Sequence, residues 1–443
     1  MRKGKRWLAA AVSAAMIVQS LASVGPVYAA DDGVSIADTF TDSSFRSYVS
    51  SNFDTDSNGY LSDAEISNVT SIDVSKCSPA ISSLNGVELF TNLSKLDCNE
   101  QSIRNLDIEN LENLEYIDVS SNRIDSLTLP VSAEKLTYLD ISGNKITSLT
   151  SLADYNNLVL LNANSTNLSS IDVSNMKGLK VLGVSGTTIS TLDLGSNMEL
   201  TTLYCDSMRS LPVLDVSGHE KLKNLYCAGA KSDSGVVVRS SITKLDVSGD
   251  IVLGSLDCSN SYVAELNIDN TPALTTLDCS NTRLTSIDVS KNTSLSYLDV
   301  SSNVLGAVDF TANTALRELY VKDTGINKLD VSTLTNLVNL DASSNSLAEL
   351  DIASNSLLEK LYISDNNIQG IKLDGHPDLK ELEIDNNNLV AIDISVCPKL
   401  YGDDGVFSCS GNSRDITLDT TNYDYDFSDF SKVYGLHKAW YDY

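Results

Sequence analysis

Leucine recurs along this chain with a short and regular period. It stands at 93, 114, 136, 158, 179, 200, 222, 253, 274, 295, 316, 337, 358 and 379. Nine of the thirteen intervals are 21 residues, three are 22 and one is 31. Within each unit the apolar positions are 1, 4, 6 and 11, as in Leu295, Leu298, Val300 and Leu305. No such unit can bury its apolar face alone, so the period predicts coils stacked on one continuous core. Positions 3–7 predict a short strand that pairs in parallel with its neighbours. At about 4.8 Å per coil, fourteen coils give a body on the order of 65 Å long. Position 9 is Asn at 122, 144, 303, 345, 366 and 387, and Thr at 166, 187, 282 and 324. A buried amide there satisfies turn backbone groups, and stacked copies form a ladder. A second apolar-Asp-apolar segment recurs at 106–108, 287–289 and 350–352. It predicts extended structure rather than long helices on the opposite, convex side. The long interval holds an insertion at roughly residues 231–240.

The chain before the coils has a different pattern. Arg2, Lys3, Lys5 and Arg6 precede a mostly apolar run from Trp7 to Val24, and Val27-Tyr28-Ala29 puts small residues before a cut. This is the pattern of a secretory leader at 1–29, with an uncleaved anchor helix as the alternative. Residues 54–65 fit D-x-[DN]-x-[DN]-G-x5-E at every fixed position, the pattern of an EF-hand calcium loop. Ca²⁺ takes six to eight hard oxygens. Asp54, Asp56 and Asn58 supply side-chain oxygens, Tyr60 a backbone carbonyl, Ser62 an oxygen directly or through water, and Glu65 two oxygens. Gly59 permits the sharp turn, and Leu61 packs the loop onto its helices. Phe45, Tyr48, Val49 and Phe53 recur at helical spacing and predict an entering helix. The exiting helix must be short, because strand-like sequence begins by Val69. A lone loop reads as a structural clamp rather than a cooperative sensor.

The expected organisation is a leader at 1–29, an EF-hand-like cap at 30–68 and a degenerate first coil at 69–92. The solenoid follows at 93–419, with a C-terminal cap or truncated linker at 420–443. The fold class is an α+β solenoid, a right-handed superhelix of parallel β coils with a small helical N-terminal cap.

Composition narrows the function. The net charge is −28, with 59 acids against 31 bases, and removal of the leader would make it −32. Such a charge argues against nucleic-acid partners, which need basic patches. It also disfavours docking to anionic lipid. No membrane insertion is expected once the leader is removed. No nucleophile motif or phosphate loop appears, and the repeat itself explains the many carboxylates, so no enzyme is expected. His219 and His376 occur in similar Gly-His contexts outside the strands, as repeat turns.

The unit Leu295-x-x-Leu298-x-Val300-x-x-Asn303-x-Leu305 is the L-x-x-L-x-L-x-x-N-x-L signature of leucine-rich repeats. With the leader and calcium loop, the chain resembles secreted Gram-positive leucine-rich-repeat proteins, including the internalin group. That resemblance implies a helical EF-hand-related cap and binding of host proteins on the concave face. The coils here are mostly 21 residues where internalins have 22, the loop keeps a full ligand set, and no immunoglobulin-like or wall-anchoring region follows the coils.

Candidate binding residues lie on the outward strand positions 3, 5 and 7. Tyr116, Tyr138, Leu160 and Val181 occupy position 3 of four consecutive coils, and Tyr204 and Tyr226 position 5 of the next two. An exposed apolar stripe usually marks a partner. The bland alternative is that such residues simply suit strands. Asp257, Asp278 and Asp299 form a second run, which solvent screening and hydrogen bonds from neighbouring Ser would tolerate. Five of the eight Cys, namely 98, 205, 227, 258 and 279, take inward position 6 and read as core thiols. Cys397 and Cys409 are the pair best suited to a bridge. The function expected is a monomeric protein, secreted or held at the cell surface, that binds a protein or carbohydrate. The alternative is a structural spacer with no discrete ligand.

Overall fold

The computed structural model describes residues 33–149, 152, 154–231, 234–401, 404–412, 417–419 and 433–434. The leader at 1–29 and most of the C-terminal segment at 420–443 lie outside these residues. No helix among the described residues is long and apolar enough to cross a membrane.

Each leucine-led unit forms one coil with a three-residue strand at positions 3–5. Lys95–Asp97, Tyr116–Asp118 and Tyr138–Asp140 are the first of these, and Glu381–Glu383 is the last. The strands pair in parallel and in register, so position 5 of one coil faces position 5 of the next, as in Asp257↔Asp278 and Asp278↔Asp299. The sheet begins at Ser71–Asp73 and ends at Val433–Tyr434, each strand bonded only to its neighbours along the rod. Regular strand stops two residues short of the expected position 7. Position 8 turns left-handed in coil after coil, at φ 54 for Ser121, 55 for Ser302 and 65 for Gly143. The inter-coil bonds nevertheless continue past the strand: the Val300 N–H donates to the Tyr320 carbonyl at 2.9 Å and the Ser302 N–H to the Lys322 carbonyl at 2.7 Å.

The inward positions behave as the period predicts. Leu295, Leu298 and Val300 are fully buried and Leu305 nearly so, and the same holds from coil to coil. The position 9 asparagines join one coil to the preceding one. The Asn303 amide donates to the carbonyls of Cys279 and Val300, at 2.9 Å each, and its oxygen accepts the Leu284 N–H at 3.0 Å. Asn122, Asn144, Asn366 and Asn387 make the same set of bonds. Thr at this position donates within its own coil, as from Thr187 to the Val184 carbonyl at 2.8 Å, and the Thr282 and Thr324 hydroxyls also lie 2.7 and 3.0 Å from the amide oxygens of Asn303 and Asn345 in the next coil. A second polar column stands three residues before the leading leucine from Leu200 onward, interrupted at Leu334. Asn197, Asn313 and Asn355 are fully buried there and donate to carbonyls of the preceding coil. His219 and His376 share this column, buried and flanked by backbone carbonyls, so the histidines are turn residues.

The convex side is extended, as expected, but pairs only in places. Asn105–Asp107 pairs with Ser126–Thr128, and Lys244–Asp246 joins Val213–Asp215 to Glu265–Asn267. Residues 287–289 and 350–352 form no strand. The insertion is a hairpin in which Ala230–Lys231 pairs with Val237–Val238. A Cβ on Gly229 would lie 2.0 Å from the Asn260 carbonyl oxygen, so only glycine fits where the hairpin leaves the coil.

Before the first coils, α1 (Ile36–Thr39), α2 (Ser43–Asn52) and α3 (Asp63–Asn68) pack on the end of the sheet. Phe40, directly after α1, contacts Phe45 of α2 at 5.4 Å and Phe90 of the coil at 6.0 Å. Asp42 caps α2 with one oxygen and accepts the Ser82 N–H and hydroxyl with the other, tying the helix to the coil.

The eight cysteines are free thiols. The expected Cys397–Cys409 bridge is therefore absent. Cys397 sits in the turn column that holds His376 one coil earlier, with its Sγ 3.9 Å from the Leu373 carbonyl, whereas Cys409 takes an inward position after the strand Val406–Ser408.

The asparagine ladder generates a first prediction. Asn303→Ala leaves the Val300 carbonyl and the Leu284 N–H buried without their side-chain partner and the Cys279 carbonyl with the Thr282 hydroxyl alone, and should destabilise by about 2–4 kcal/mol. Urea unfolding followed by circular dichroism measures this, and a midpoint equal to the wild type would contradict the ladder's role.

Candidate functional site

Two places on the molecule gather polar or aromatic side chains. The first is the loop between α2 and α3. Asp54, Asp56 and Glu65 each bring one carboxylate oxygen to within 4.8 Å of the others, an arrangement that could hold a metal ion. Asp54 and Glu65 are buried, while Asp56, Asn58, Tyr60 and Ser62 are exposed. The loop is strongly preorganised. Asp54 accepts the Asn58 N–H at 3.1 Å and the Gly59 N–H at 3.0 Å. The Asn58 amide donates to Asp56 at 2.9 Å, and its oxygen accepts the Tyr60 N–H at 2.7 Å. Gly59 has φ 84, a conformation that side chains rarely adopt. Burial would raise the Glu65 pKa, but hydrogen bonds from the Thr55 and Ser62 N–H and hydroxyl groups outweigh it and bring the carboxyl down to about 2. The loop ends in a two-residue strand, Tyr60–Leu61, that pairs antiparallel with Val34–Ser35.

The second place is the sheet face. Tyr116, Tyr138, Leu160 and Val181 follow one another on neighbouring strands, all half-buried. Tyr204 and Tyr226 continue the face two residues further along the next strands. The tyrosines stack in pairs: Tyr116 on Tyr138 at 4.3 Å and Tyr204 on Tyr226 at 5.0 Å. A third contact, Tyr297 with Tyr320 at 5.5 Å, was not singled out from the sequence because these two tyrosines stand at different positions of their coils. Register makes them diagonal neighbours, Tyr297 lying opposite Glu318 and Asp299 opposite Tyr320, and the rings meet across that diagonal.

The position 5 aspartates are far less open than an outward strand position suggests. Asp97 and Asp118 are 8% exposed. Neighbouring strands at about 4.8 Å leave little room above each carboxylate. Asp97 accepts the Asn99 amide at 2.7 Å, and the position 5 aspartates that precede a serine by two close an Asp-x-Ser turn. Asp118 accepts the Ser120 N–H at 3.0 Å and its hydroxyl at 2.6 Å, and Asp278 does the same with Ser280. The same turn recurs on the convex side at Asp309 with Thr311 and at Asp330 with Ser332. Its effect on charge is opposite on the two sides. On the convex side these hydrogen bonds pull Asp309 and Asp330 below the usual carboxylate range. On the sheet face burial prevails, and the neighbouring Asp257 and Asp299 charges add to it, so Asp278 rises to about 6. Asp206 rises to about 6 by burial first and then the Asp257 charge.

These features set the context for comparison with known proteins. A family model of Leucine Rich repeats (2 copies) matches residues 112–154, and one of a single Leucine Rich repeat matches 291–309. No curated protein matches the sequence. Among solved structures, the functional domain of InlJ from Listeria monocytogenes aligns with a TM-score of 0.73 at 30% identity, over 87% of this chain and 82% of that one. The chain belongs to the internalin-like leucine-rich-repeat family. An internalin (inlF) from Listeria monocytogenes aligns at 21% identity and TM-score 0.53, over 88% of this chain and 98% of its own. The protein LIC12759 of Leptospira interrogans aligns at 20% and 0.54, over 74% and 91%. These two show the fold alone. Like the repeat proteins it resembles, this internalin-like chain is a non-catalytic scaffold.

The InlJ domain includes a cysteine ladder. Here Cys205, Cys227, Cys258 and Cys279 follow four consecutively paired strands, fully buried at one inward position. Burial raises the Cys258 and Cys279 thiols well above their ordinary range, so they act as core side chains rather than nucleophiles.

The crowding of Asp278 generates a second prediction. Its folded pKa lies above the unfolded value, so the cost of the charge builds up as pH rises from about 4 to about 6, is complete above that, and disappears below about pH 4. Asp278→Asn keeps an oxygen for the Ser280 bonds and removes the charge. It should stabilise by about 1–2 kcal/mol at pH 7.5 and by almost nothing at pH 4. Thermal unfolding at the two pH values reads the difference, and an equal shift at both would contradict the charge argument.

Proposed function

We propose that the chain is an extracellular binding protein that engages a partner protein through the concave sheet face, with an N-terminal cap braced by calcium. The observation that carries the binding reading is the set of stacked tyrosine pairs on a sheet face that no other part of the described chain covers. Stacked, half-buried tyrosines present large rigid area at small entropic cost, the property that places Tyr in binding hot spots. Tyr116, Tyr138, Leu160, Val181, Tyr204 and Tyr226 are the proposed contact residues. A carbohydrate could use the same aromatic faces; the acidic surroundings favour a protein. Export rests on the leader pattern at 1–29 and on the likeness to internalin structures.

Calcium is the proposed ion because the donor set is oxygen throughout. Asp54, Asp56, Asn58 and Glu65 would supply side-chain oxygens, Tyr60 its carbonyl, and Ser62 a direct or water-mediated contact. Three carboxylates drawn together with no base among them repel one another, and a divalent cation relieves that repulsion. On this reading residues 30–68 form an EF-hand-like cap, 69–92 the coil that joins it to the solenoid, and 93–419 the binding body. Calcium would act through the cap on the whole rod, because terminal coils otherwise expose core.

Two outcomes are expected. Calcium at a hundredfold excess over its dissociation constant should stabilise the cap by about 2.7 kcal/mol, read as a rise in melting temperature. Glu65→Gln should abolish the rise; a rise that survives this change would remove the loop from the calcium reading. For the face, a benzophenone amino acid at Tyr226 should yield protein crosslinks that one at Asp309 on the convex side does not. Equal crosslinking from both sides would argue against concave docking.

A further inference from the structure

Within the concave face, the strands from Thr202–Tyr204 to Tyr297–Asp299 stand apart. Across these five coils, positions 3, 5 and 7 carry Asp206, Asp257, Asp278 and Asp299 and no Lys or Arg. Asp257 and Asp278 lie on the two strands between the Tyr204–Tyr226 stack and the Tyr297–Tyr320 pair, with Asp206 on the coil of Tyr204 and Asp299 on the strand of Tyr297. We propose that this stretch docks a basic polypeptide segment, whose Lys or Arg side chains lie over the tyrosine faces and against the aspartate column. The proposal rests on the concave-face reading above and adds the chemistry of the partner.

The molecule holds an internal example of the contact. In the first coils the same elements recur, a stacked tyrosine pair beside the column Asp97, Asp118 and Asp140. There the chain supplies its own base. The Lys95 Nζ lies 5.1 Å from the Tyr116 ring centre and 3.6 Å from the Asp97 carboxylate. A cation held between an aromatic face and a carboxylate gains from both. In the second stretch the position that Lys95 takes is filled by Thr202, Asn224, Ser255 and Thr276, so a base must come from outside.

The nearest bases of the chain are directed elsewhere. The hairpin rises four residues after Tyr226, but its Arg239 donates to the Ser261 carbonyl at 2.8 Å and to both oxygens of Asn281. Arg239 and Arg283 both lie against the Tyr262 ring, beyond the strand end. Lys231 is exposed in the hairpin. Glu318 and Lys322 belong to the following coil and bring one charge of each sign. Charge complementarity also has a physical driver. The convex carboxylates in the same Asp-x-Ser turn are relaxed, whereas Asp206 and Asp278 are held up near 6 by burial and by their neighbours' charge. A bound cation relieves that crowding.

The test uses the chain without its leader and a fluorescent octalysine peptide, read by anisotropy. Asp257→Asn/Asp278→Asn/Asp299→Asn should weaken octalysine about 10-fold or more. The control Asp288→Asn/Asp309→Asn/Asp330→Asn changes net charge equally on the convex side and should weaken it less than about 2-fold. Affinity for the wild-type chain should also fall between about pH 7.5 and pH 5, as Asp206 and Asp278 take up protons. Equal losses from both triple variants, or a flat pH profile, overturn the proposal; concave docking, which rests on crosslinking, would stand. Displacement of octalysine by millimolar Ca²⁺ in the Glu65→Gln background would assign the stretch to a metal and overturn it as well. Circular dichroism of each variant confirms that the fold compared is the same.

Discussion

Every coil of this protein depends on the next for its backbone hydrogen bonds. A strand of three residues has no stability alone, and each turn buries carbonyls that only a neighbouring coil can reach. The position 9 asparagines supply part of the answer, with amides such as that of Asn303 spanning two coils. The left-handed turn at position 8 supplies another, since it aims an N–H at the following coil. Because these bonds run along the rod, stability is a sum of nearest-neighbour terms, and each coil holds its neighbours in register. The outward side chains inherit that register, which is why the tyrosines stack and the aspartates stand in columns.

The same regularity decides the electrostatics. One local motif, Asp-x-Ser, closes turns on both sides of the coil and spreads much of the −28 charge evenly along the chain. On the convex side its carboxylates meet water. On the concave side they meet one another at strand spacing, partly buried. Identical hydrogen bonds from Ser or Thr therefore leave Asp330 below the usual range and Asp278 above it. A face so arranged favours partners that bring positive charge, whatever else they bring.

The N-terminal helices are part of the same body. Phe90 of the coil meets Phe40 and also Phe53, which stands directly before the acidic loop, at 5.4 Å. The strand Tyr60–Leu61 at the end of that loop pairs with Val34–Ser35, so a lone loop gains a β partner from its own chain. An ion held by Asp54, Asp56 and Glu65 would thus be felt at the first coil through a short run of aromatic contacts and backbone bonds.

The period of leucine by itself determined the coil, its inward positions and its parallel sheet, because a unit of 21 residues can bury positions 1, 4, 6 and 11 only by stacking. The asparagines were legible for the same reason, as the one polar residue placed regularly among apolar ones. The acidic loop was legible because its spacing is local, within twelve consecutive residues. Other features lay beyond local pattern. The sequence shows Asp at position 5 but not that flanking strands half-cover it, since burial there depends on the spacing and curvature of the stack. It does not show that Tyr297 and Tyr320 meet, because their contact joins different positions of two coils. Nor does it show that Cys397 and Cys409 stay apart, or that Arg239 turns away from the acidic column toward Tyr262. These are properties of side chains brought together across coils, and only the tertiary structure fixes their distances.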